Sequence, residues 1–263
     1  MDLGIKNKVA LVTAASQGLG KASAIELANE GVKLAICSRD QDKINQTAEE
    51  IQNLTGGEVL AVKADLDSTD DIENLIKEIE NKFNTVDILV NNTGGPKAGF
   101  FDDLSDEDWL KTFESTFLSA VRVTRKVLPF MKKNKWGRII NISSVSAKQP
   151  IDNLMLSNGV RMSIHGWAKT LSNQVASENI LINNVCPGFT HTERVDALIK
   201  TQVENSNSSR EEIIESIASD IPAKRVGQAN ELAALVVFLS SEKASYITGQ
   251  SIAVDGGISS LPI

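Results

Sequence analysis

The fold is decided by residues 9–22, "VALVTAASQGLGKA", near the start of the chain. An apolar, β-rich run comes first, and a helical pattern begins directly after the turn that follows it. Gly18 and Gly20 lie at this junction, where they would let the backbone approach a pyrophosphate at a helix N-terminus. Free N–H groups and the helix dipole favour an anion there. Two glycines also occur in ordinary tight turns, but the order strand, turn and helix favours a dinucleotide site.

Six more β-rich runs follow, separated by amphipathic helical segments. They are "VKLAICS" (32–38), "EVLAVKAD" (58–65), "VDILVNN" (86–92), "GRIINIS" (137–143), "ILINNVCP" (180–187) and "GQSIAVD" (249–255). Val, Ile and Leu fill these runs without strict alternation, which is typical of strands covered by helices on both faces of a parallel sheet. We therefore expect an α/β fold: one Rossmann-like, doubly wound domain over residues 1–263 with a seven-stranded parallel sheet.

The overall composition narrows the class of partner. The 263 residues carry a formal net charge of −7, which does not suit nucleic acid or an anionic membrane surface. No apolar run reaches membrane-spanning length and the N-terminus lacks a signal-peptide layout, so we expect a cytoplasmic protein. Cys37 and Cys186 end apolar runs and are expected to be free thiols that pack as small hydrophobes. We predict no metal site.

The end of the second β-rich run, "CSRD" (37–40), bears on cofactor choice. An NAD-selective site places an acidic side chain here to bind the ribose hydroxyls, whereas this chain has Ser38 followed by Arg39. An arginine offers a fixed positive charge and several donors to a 2′-phosphate. NADP is therefore favoured, while Asp40, one residue later, keeps NAD as an alternative. The alternative interpretation is that Arg39 is an ordinary surface charge.

Five motifs, in this order and spacing, resemble the short-chain dehydrogenase/reductase family, nearest its 3-oxoacyl-acyl-carrier-protein reductase branch. "TAASQGLG" (13–20) is similar to TGxxxGxG, with Ala14 in place of the first glycine, and "NNTGG" (91–95) is similar to NNAG. "GRIINISSVSA" (137–147) carries the strand-end serine, and "NNVCPGFTHT" (183–192) carries the Pro-Gly turn. "ASYITGQSIAVDGG" (244–257) resembles the C-terminal signature. The resemblance covers essentially the whole chain.

The resemblance implies a nicotinamide dinucleotide cofactor, a small-molecule substrate and a homotetramer. A long gap between the sixth β-rich run and the last helix indicates a substrate-loop insertion at about residues 189–225, whose polar part could form a mobile lid or a solvated surface excursion. An alanine at position 14 fits if the turn keeps its φ negative, and this is what we expect. The expected cofactor-binding residues are Thr13, Ser16, Gln17, Gly18, Leu19, Gly20, Ser38, Arg39, Asp65, Leu66, Asn92, Gly94, Pro187, Thr190 and Thr192.

The chain departs from the family at its catalytic residues. Family members use an Asn, a Ser, a Tyr thirteen residues after that Ser, and a Lys four residues further on. The corresponding positions here are Thr116, Ser144, Ser157 and Arg161, so only the first serine is kept. A shifted alignment cannot restore the tyrosine, because the single Tyr of the chain, Tyr246, belongs to the C-terminal signature.

These replacements change the chemistry of proton transfer. Ser157 is a far weaker acid than a phenol and Arg161 does not deprotonate, so neither takes over the role of its counterpart. Arg161 could hold the cofactor ribose, stabilise a developing alkoxide, or bind an anionic group of the substrate. His191 is the nearest titrating candidate, although a solvated loop histidine is the alternative. His165 is expected to pack or to face solvent. Lys97 could reach the mouth of the site, although an exposed loop lysine is the simpler interpretation.

The sequence thus predicts an NADP(H)-dependent oxidoreductase of carbonyl or alcohol substrates with a remodelled proton relay. In this hypothesis Ser144 orients the carbonyl, Arg161 supplies positive charge, and Ser157 or a water molecule that it holds passes the proton. A substrate with an anionic group would suit Arg161. Two alternatives stay open: a non-catalytic NADP-binding sensor or partner subunit, and non-redox chemistry such as dehydration.

Overall fold

The computed structural model describes residues 1–204, 206 and 208–260. Within them the chain forms a seven-stranded sheet in the order β3-β2-β1-β4-β5-β6-β7, with every neighbouring pair parallel. This confirms the predicted doubly wound α/β fold. The strands are β1 (Val9–Val12), β2 (Lys33–Ser38), β3 (Val59–Lys63), β4 (Ile88–Asn91), β5 (Gly137–Ile142), β6 (Ile180–Pro187) and β7 (Ser251–Val254).

Helices cover both faces of the sheet, which explains why the strands are apolar along their whole length. They are α1 (Gly18–Asn29), α2 (Gln41–Thr55), α3 (Thr69–Phe83), α4 (Asp106–Thr112), α5 (Ser119–Asn134), α6 (Met155–Val175), α7 (Glu193–Glu204), α8 (Arg210–Asp220) and α9 (Ala229–Leu239). One hydrophobic core lies between the sheet and α1, α2 and α9, and the other lies between the sheet and α3, α5 and α6.

A crevice opens where the strand order reverses, between β1 and β4, because successive crossovers leave this point in opposite directions. Asparagines join the strands just below it. The side chain of Asn91 donates to Asn141 at 2.9 Å, Asn141 donates to Asn184 at 2.8 Å, and Asn184 donates to Ser251 at 3.0 Å. This line of side-chain hydrogen bonds crosses from β4 to β7 and ties the four strands together in register.

The predicted insertion at 189–225 contains α7 and α8, which stand outside the sheet. Its polar stretch, residues 201–212, includes Asn205 and Asn207, which lie outside the described residues, as do the last three residues of the predicted domain. Across the part of the chain that the structure describes, none of the helices combines the length and apolar character that a membrane span requires.

Candidate active site at the carboxyl ends of the strands

A cleft of about 910 Å³ opens at the carboxyl ends of the strands, at the point where the strand order reverses. The expected site residues that line it are Ser16, Gln17, Gly18, Leu19, Ser38, Arg39, Asp65, Leu66, Asn92, Gly94, Ser144, Ser157, Arg161, Pro187, Thr190 and Thr192. Thr13, Gly20 and Thr116 are not part of its lining. The fold therefore gathers residues from seven separate stretches of sequence around one cavity.

The turn after β1 has the geometry of an anion cradle. Gly18 has φ of 57°, a conformation that other residues rarely adopt. A Cβ atom on Gly20 would lie 2.6 Å from the Ala14 carbonyl oxygen and 2.6 Å from Asn92 Nδ2, so only glycine fits. Gln17, the N-cap residue of α1, makes no side-chain capping bond, and the first N–H groups of the helix are left without that partner.

Ala14 differs from the sequence prediction. Its φ is +45°, in the left-handed region, whereas we expected a negative value. The turn needs this conformation because the Ala14 carbonyl accepts a hydrogen bond from Asn92 Nδ2 at 3.1 Å while Ala15 N–H donates to Cys37 at 3.0 Å. An L-residue other than glycine is strained here by about 1–2 kcal/mol. The prediction of a negative φ was wrong, and the alanine carries the strain that a glycine would avoid.

Thr13 lies behind the cleft and is 1% exposed. Its hydroxyl donates to the Asn92 carbonyl at 2.7 Å and accepts from Asn92 N–H at 2.8 Å. This pair of bonds fastens the end of β1 to the end of β4 at the switch point. Thr13 thus positions the loop that lines the cleft.

The charged residues at the end of β2 distinguish between NADP and NAD as the expected cofactor. Asp40 is the N-cap residue of α2, and its Oδ1 accepts from the N–H groups of Asp42 and Lys43, each at 3.1 Å. Its carboxylate is therefore occupied by the helix. Arg39 is exposed, lines the cleft and forms no ion pair with any residue in the described ranges. Arg39, and not Asp40, is therefore the charged residue at this position whose side chain is free to bind a ligand.

The Pro-Gly turn after β6 closes the other side of the cleft. A Cβ atom on Gly188 would lie 2.7 Å from the Cβ atom of Asp255, which requires glycine. Thr190 is 5% exposed and pairs with Gly227 in an isolated parallel bridge. The Thr192 hydroxyl accepts from Val195 N–H at 3.4 Å at the start of α7. Both threonines line the cleft, and the Thr192 side chain lies next to Gly18 at the start of α1.

The two expected catalytic serines are not hydrogen-bonded to each other. Ser144, at the end of β5, is half-buried, and its hydroxyl accepts from Ser146 N–H at 3.1 Å. The Ser157 hydroxyl instead lies 2.9 Å from the hydroxyl of Ser146, and Ser157 is 6% exposed. Ser146 therefore links them. No sequence pattern singles out this third serine, which follows Ser144 by only two positions.

Arg161 is a buried cation at the inner end of the cleft. It is 6% exposed, and its Nη1 donates to the carbonyls of Ile142 at 3.0 Å and Ser143 at 2.9 Å. No carboxylate among the described residues forms an ion pair with it. Burial lowers the pKa of Arg161 to about 10, and the positive charge of Arg194 acts in the same direction. The group still carries its charge at neutral pH.

The remaining candidates lie in different surroundings. Thr116 is 2% exposed within a π-helical segment, Phe113–Leu118, that joins α4 to α5. Lys97 lines the cleft but forms an ion pair with Asp108 at 2.9 Å. His191 is half-buried outside the cleft lining, and its backbone N–H donates to Gly227 at 2.9 Å.

His165 has a place that sequence reasoning missed. Its Nε2 lies 2.9 Å from the hydroxyl of Ser143, which lines the cleft, and 3.7 Å from the sulfur of Cys186. Burial, followed by the positive charges of Lys148 and Arg161, lowers the pKa of His165 to about 4. The histidine is therefore neutral at pH 7. The available signal was spacing, since His165 follows Arg161 by one helical turn and shares its face of α6.

Both thiols are free and buried, as the sequence predicted. Burial raises the pKa of Cys37 to about 12 and that of Cys186 to about 11. Neither supplies a thiolate at neutral pH, so cysteine nucleophile chemistry has no support here. In addition, no cluster of metal-ligating side chains occurs in the part of the chain that the structure describes.

Comparison with known proteins adds independent findings. Residues 13–259 match the family model described as enoyl-(acyl carrier protein) reductase. The chain is 35% identical over 254 residues to the NADPH-dependent reductase BacG of Bacillus subtilis (strain 168), covering 96% of this chain and 98% of that protein. It is 34% identical over 258 residues to the 3-oxoacyl-[acyl-carrier-protein] reductase FabG of Aquifex aeolicus (strain VF5), covering 98% and 100%. The L-sorbose reductase of Gluconobacter frateurii, solved with NADPH and L-sorbose, superposes with a TM-score of 0.95 at 31% identity and covers 99% and 100%.

Proposed function

The chain belongs to the short-chain dehydrogenase/reductase family, and we propose that it reduces a small carbonyl substrate with Ser157 and Arg161 in place of the usual Tyr and Lys. It is an NADP-dependent oxidoreductase of that family. One observation carries the finer proposal: the unpaired, buried Arg161 lies in the same cleft as an anion cradle and a free Arg39. The cleft thus combines features for holding a phosphorylated cofactor with a positive charge beside Ser144.

The residues of the cleft fit an NADP cofactor. Gly18 takes a positive φ and Gly20 packs directly against Ala14 and Asn92, which keeps the turn tight, and the uncapped N-terminus of α1 suits a pyrophosphate. Arg39 would bind the 2′-phosphate, because the Asp40 carboxylate that could favour NAD is held by the N-terminus of α2. Asp65 and Leu66 would border the adenine, and the Pro-Gly turn would border the nicotinamide. When bound, the reduced nicotinamide supplies a hydride.

Ser144 and Arg161 would act on the carbonyl group. The Ser144 hydroxyl, fixed by the N–H of Ser146, would orient the substrate oxygen. Nη1 of Arg161 is anchored by the carbonyls of Ile142, the last residue of β5, and of Ser143, while Nε and Nη2 make no hydrogen bonds to described residues. The positive charge of Arg161 would stabilise the negative charge that develops on the substrate oxygen. Ser157, which lines the cleft and is held by the buried Ser146 hydroxyl, would pass the proton from a water molecule in the cleft to that oxygen. A missing phenolic acid costs about 10²–10⁴ in rate, so we expect slow turnover of simple ketones.

A second candidate is reduction of a carbon–carbon double bond conjugated to a carbonyl. The matched family model is described as an enoyl reductase, and the site has no phenolic acid. Hydride addition to such a bond gives an enolate, a weaker base than an alkoxide, so Arg161 could stabilise it without a strong proton donor. The same cofactor cleft serves both reactions.

We also propose that residues 189–225 bind the substrate. Phe189, Arg194, Val195 and Leu198 of that segment line the cleft opposite Ser144. A small molecule with an anionic group fits this end, since Arg161 lacks a carboxylate partner among the described residues. The expected insertion is therefore proposed as the substrate-binding part of the domain.

A homotetramer is also proposed. Leu110, Phe113 and Met162 are 71%, 39% and 53% exposed on the neighbouring surfaces of α4, the π-helical segment and α6. Exposed apolar groups in one region are typical of protein interfaces. Light scattering after size-exclusion chromatography measures the mass directly. A mass near that of one 28.4 kDa chain would contradict the proposal.

The function is tested by cofactor titration and turnover. Binding of NADPH and NADH is measured by fluorescence, and NADPH oxidation is followed with ketones, 3-oxoacyl thioesters, oxo acids and enones. We expect tighter binding of NADPH than of NADH, with the difference reduced about 10–100-fold by Arg39→Met. Lys63→Met, a charge change on the neighbouring strand β3, serves as the control.

Turnover decides between the remaining functions. Slow turnover that Ser144→Ala reduces further supports the reductase. Tight NADPH binding without turnover of any compound would favour a sensor or partner subunit. Product formation without a change in cofactor absorbance would instead indicate non-redox chemistry, and binding of neither cofactor would contradict both NADP-dependent readings.

A further inference from the structure

The charge of Arg161 is not balanced within the described residues. Arg161 is only 6% exposed, yet the hydrogen-bond partners of its guanidinium group are the neutral carbonyls of Ile142 and Ser143. A buried charge without a partner is strongly unfavourable unless something of opposite sign reaches it. The cleft is the side from which such a group can come, because Arg161 forms part of its wall.

A second guanidinium group lines the same cleft. Arg194, at the start of α7, donates from Nη2 to the Pro96 carbonyl at 2.6 Å. Its Nε lies 3.0 Å from the position that a Cβ atom on Gly95 would occupy, so the side chain rests on the loop after β4. No acidic side chain in the described ranges forms an ion pair with it. Arg194 is thus held in place by backbone and keeps an unpaired charge.

The other charges of this region do not cancel the two arginines. Lys97 and Asp108 also line the cleft, but they neutralise each other in an ion pair of 2.9 Å. Glu193 turns the other way, with its carboxylate 3.5 Å from the Cβ position of Gly18 at the cofactor end. Arg161 and Arg194 therefore leave the substrate end of the cleft positively charged.

Apolar side chains line the same cleft as the two arginines. Ile151 and Leu154 line the cleft from the segment before α6, and Val195 and Leu198 line it from α7. A ligand of this region would place an apolar body between these side chains and an anionic group against the arginines. A planar carboxylate matches the paired donors of a guanidinium group.

We propose that the substrate is an oxo acid with an apolar body, and that Arg194, together with Arg161, binds its carboxylate. The inference rests on the proposed function, since it names the substrate class for that same cleft. Arg194 is the specificity-determining residue in this arrangement. Arg161 faces both the carboxylate and the adjacent reacting carbonyl, because these two groups are neighbours in a 2-oxo acid.

Binding tests the inference without requiring turnover. Calorimetric titration of the protein saturated with NADPH compares 4-phenylbutanoate with its uncharged isostere 4-phenylbutanamide. We expect the acid to bind at least about tenfold more tightly, and Arg194→Gln to weaken the acid about 10–100-fold while leaving the amide unchanged. Lys200→Gln, which removes a positive charge from the exposed surface of the same helix, should change neither affinity.

Turnover of a matched pair separates this inference from the proposed function. NADPH oxidation is measured with 2-oxo-4-phenylbutanoate and with its ethyl ester. Preference for the acid that Arg194→Gln abolishes supports the inference. Equal use of acid and ester leaves the reductase intact and overturns the inference, as does equal or absent binding of the phenylbutanoate pair. Failure to bind NADPH overturns the proposed function itself.

Discussion

The two ends of the sheet each bury an arginine, and the two are satisfied very differently. Arg138, at the amino end of β5, is fully buried, donates to carbonyls of Gly137, Asn179 and Ser241, and lies 4.4 Å from the centre of the Trp136 ring. Glu242 approaches its Nη2 at 3.5 Å, an ion pair without a close hydrogen bond. Arg161, at the carboxyl end, donates only to the carbonyls of Ile142 and Ser143 among the described residues, and it lines an open cleft.

The surroundings of these two arginines indicate what role each buried charge has. Where carbonyls, a carboxylate and an aromatic face surround the guanidinium group, the charge serves the fold. Where donors are left facing a cavity, the site is complete only with a ligand. The strained Ala14 and the neutral, buried His165 lie at the same end of the sheet as Arg161. The carboxyl end thus concentrates the unfavourable features that binding and catalysis can use.

Replacing Arg161 should have the largest effect, and it should act on activity. We expect Arg161→Met to lower kcat/KM by about 10²–10³, because the variant loses the positive charge beside the developing oxyanion. Arg161→Lys keeps a charge and should recover part of the loss. Initial rates of NADPH oxidation measure the effect. A variant with unchanged rates would show that the two arginines are both structural.

Replacing Arg138 should act on stability instead. Arg138→Met leaves several carbonyls without a donor, so we expect the free energy of unfolding to fall by about 3 kcal/mol. Urea denaturation measures the loss, with Glu242→Gln as the milder control because that carboxylate is half exposed. The folded fraction should retain its kcat. Loss of activity in fully folded Arg138→Met would contradict the conclusion that Arg138 serves only the fold.

The neutral His165 should make the carboxyl end sensitive to acid. The folded protein keeps this imidazole neutral down to about pH 4, whereas the unfolded chain takes up the proton near pH 6.5. Stability is therefore lost as pH falls from about 6.5 towards 4, by about 2 kcal/mol after allowance for partial exposure. His165→Leu should remove this part of the loss, as measured by urea denaturation at pH 7 and pH 4.5. Identical pH dependence in both proteins would contradict it.

Ala14→Gly should give the smallest effect, a gain in stability. Relief of the positive φ is partly offset by the greater freedom of glycine in the unfolded chain, which leaves about 0.5 kcal/mol. The melting temperature should rise by about 1–2 °C. Ala22→Gly, within α1, is the matched control and should lower it, because glycine disfavours a helix interior. A lower melting temperature for Ala14→Gly would show that the turn is unstrained.

The sequence alone determined the number and parallel direction of the strands, the position of the glycine turn and the loss of the catalytic Tyr. These features rest on local patterns: apolar runs, glycine spacing and a fixed count from Ser144 to Ser157 along one segment. Arg39 was likewise readable, because it directly follows a strand. These patterns can be recognised in the sequence alone, because each of them involves residues that are close together in the chain.

Only the tertiary structure decided how the site residues are connected. Asp40 is occupied by a helix N-terminus, Ala14 adopts a left-handed turn to meet Asn92, and Ser157 reaches Ser146 instead of Ser144. Arg194 meets Pro96 across 98 positions of sequence, and His165 meets Ser143 across 22. Each of these contacts depends on how helices are placed against strand ends. Packing of the whole domain determines that placement, so no local pattern encodes it.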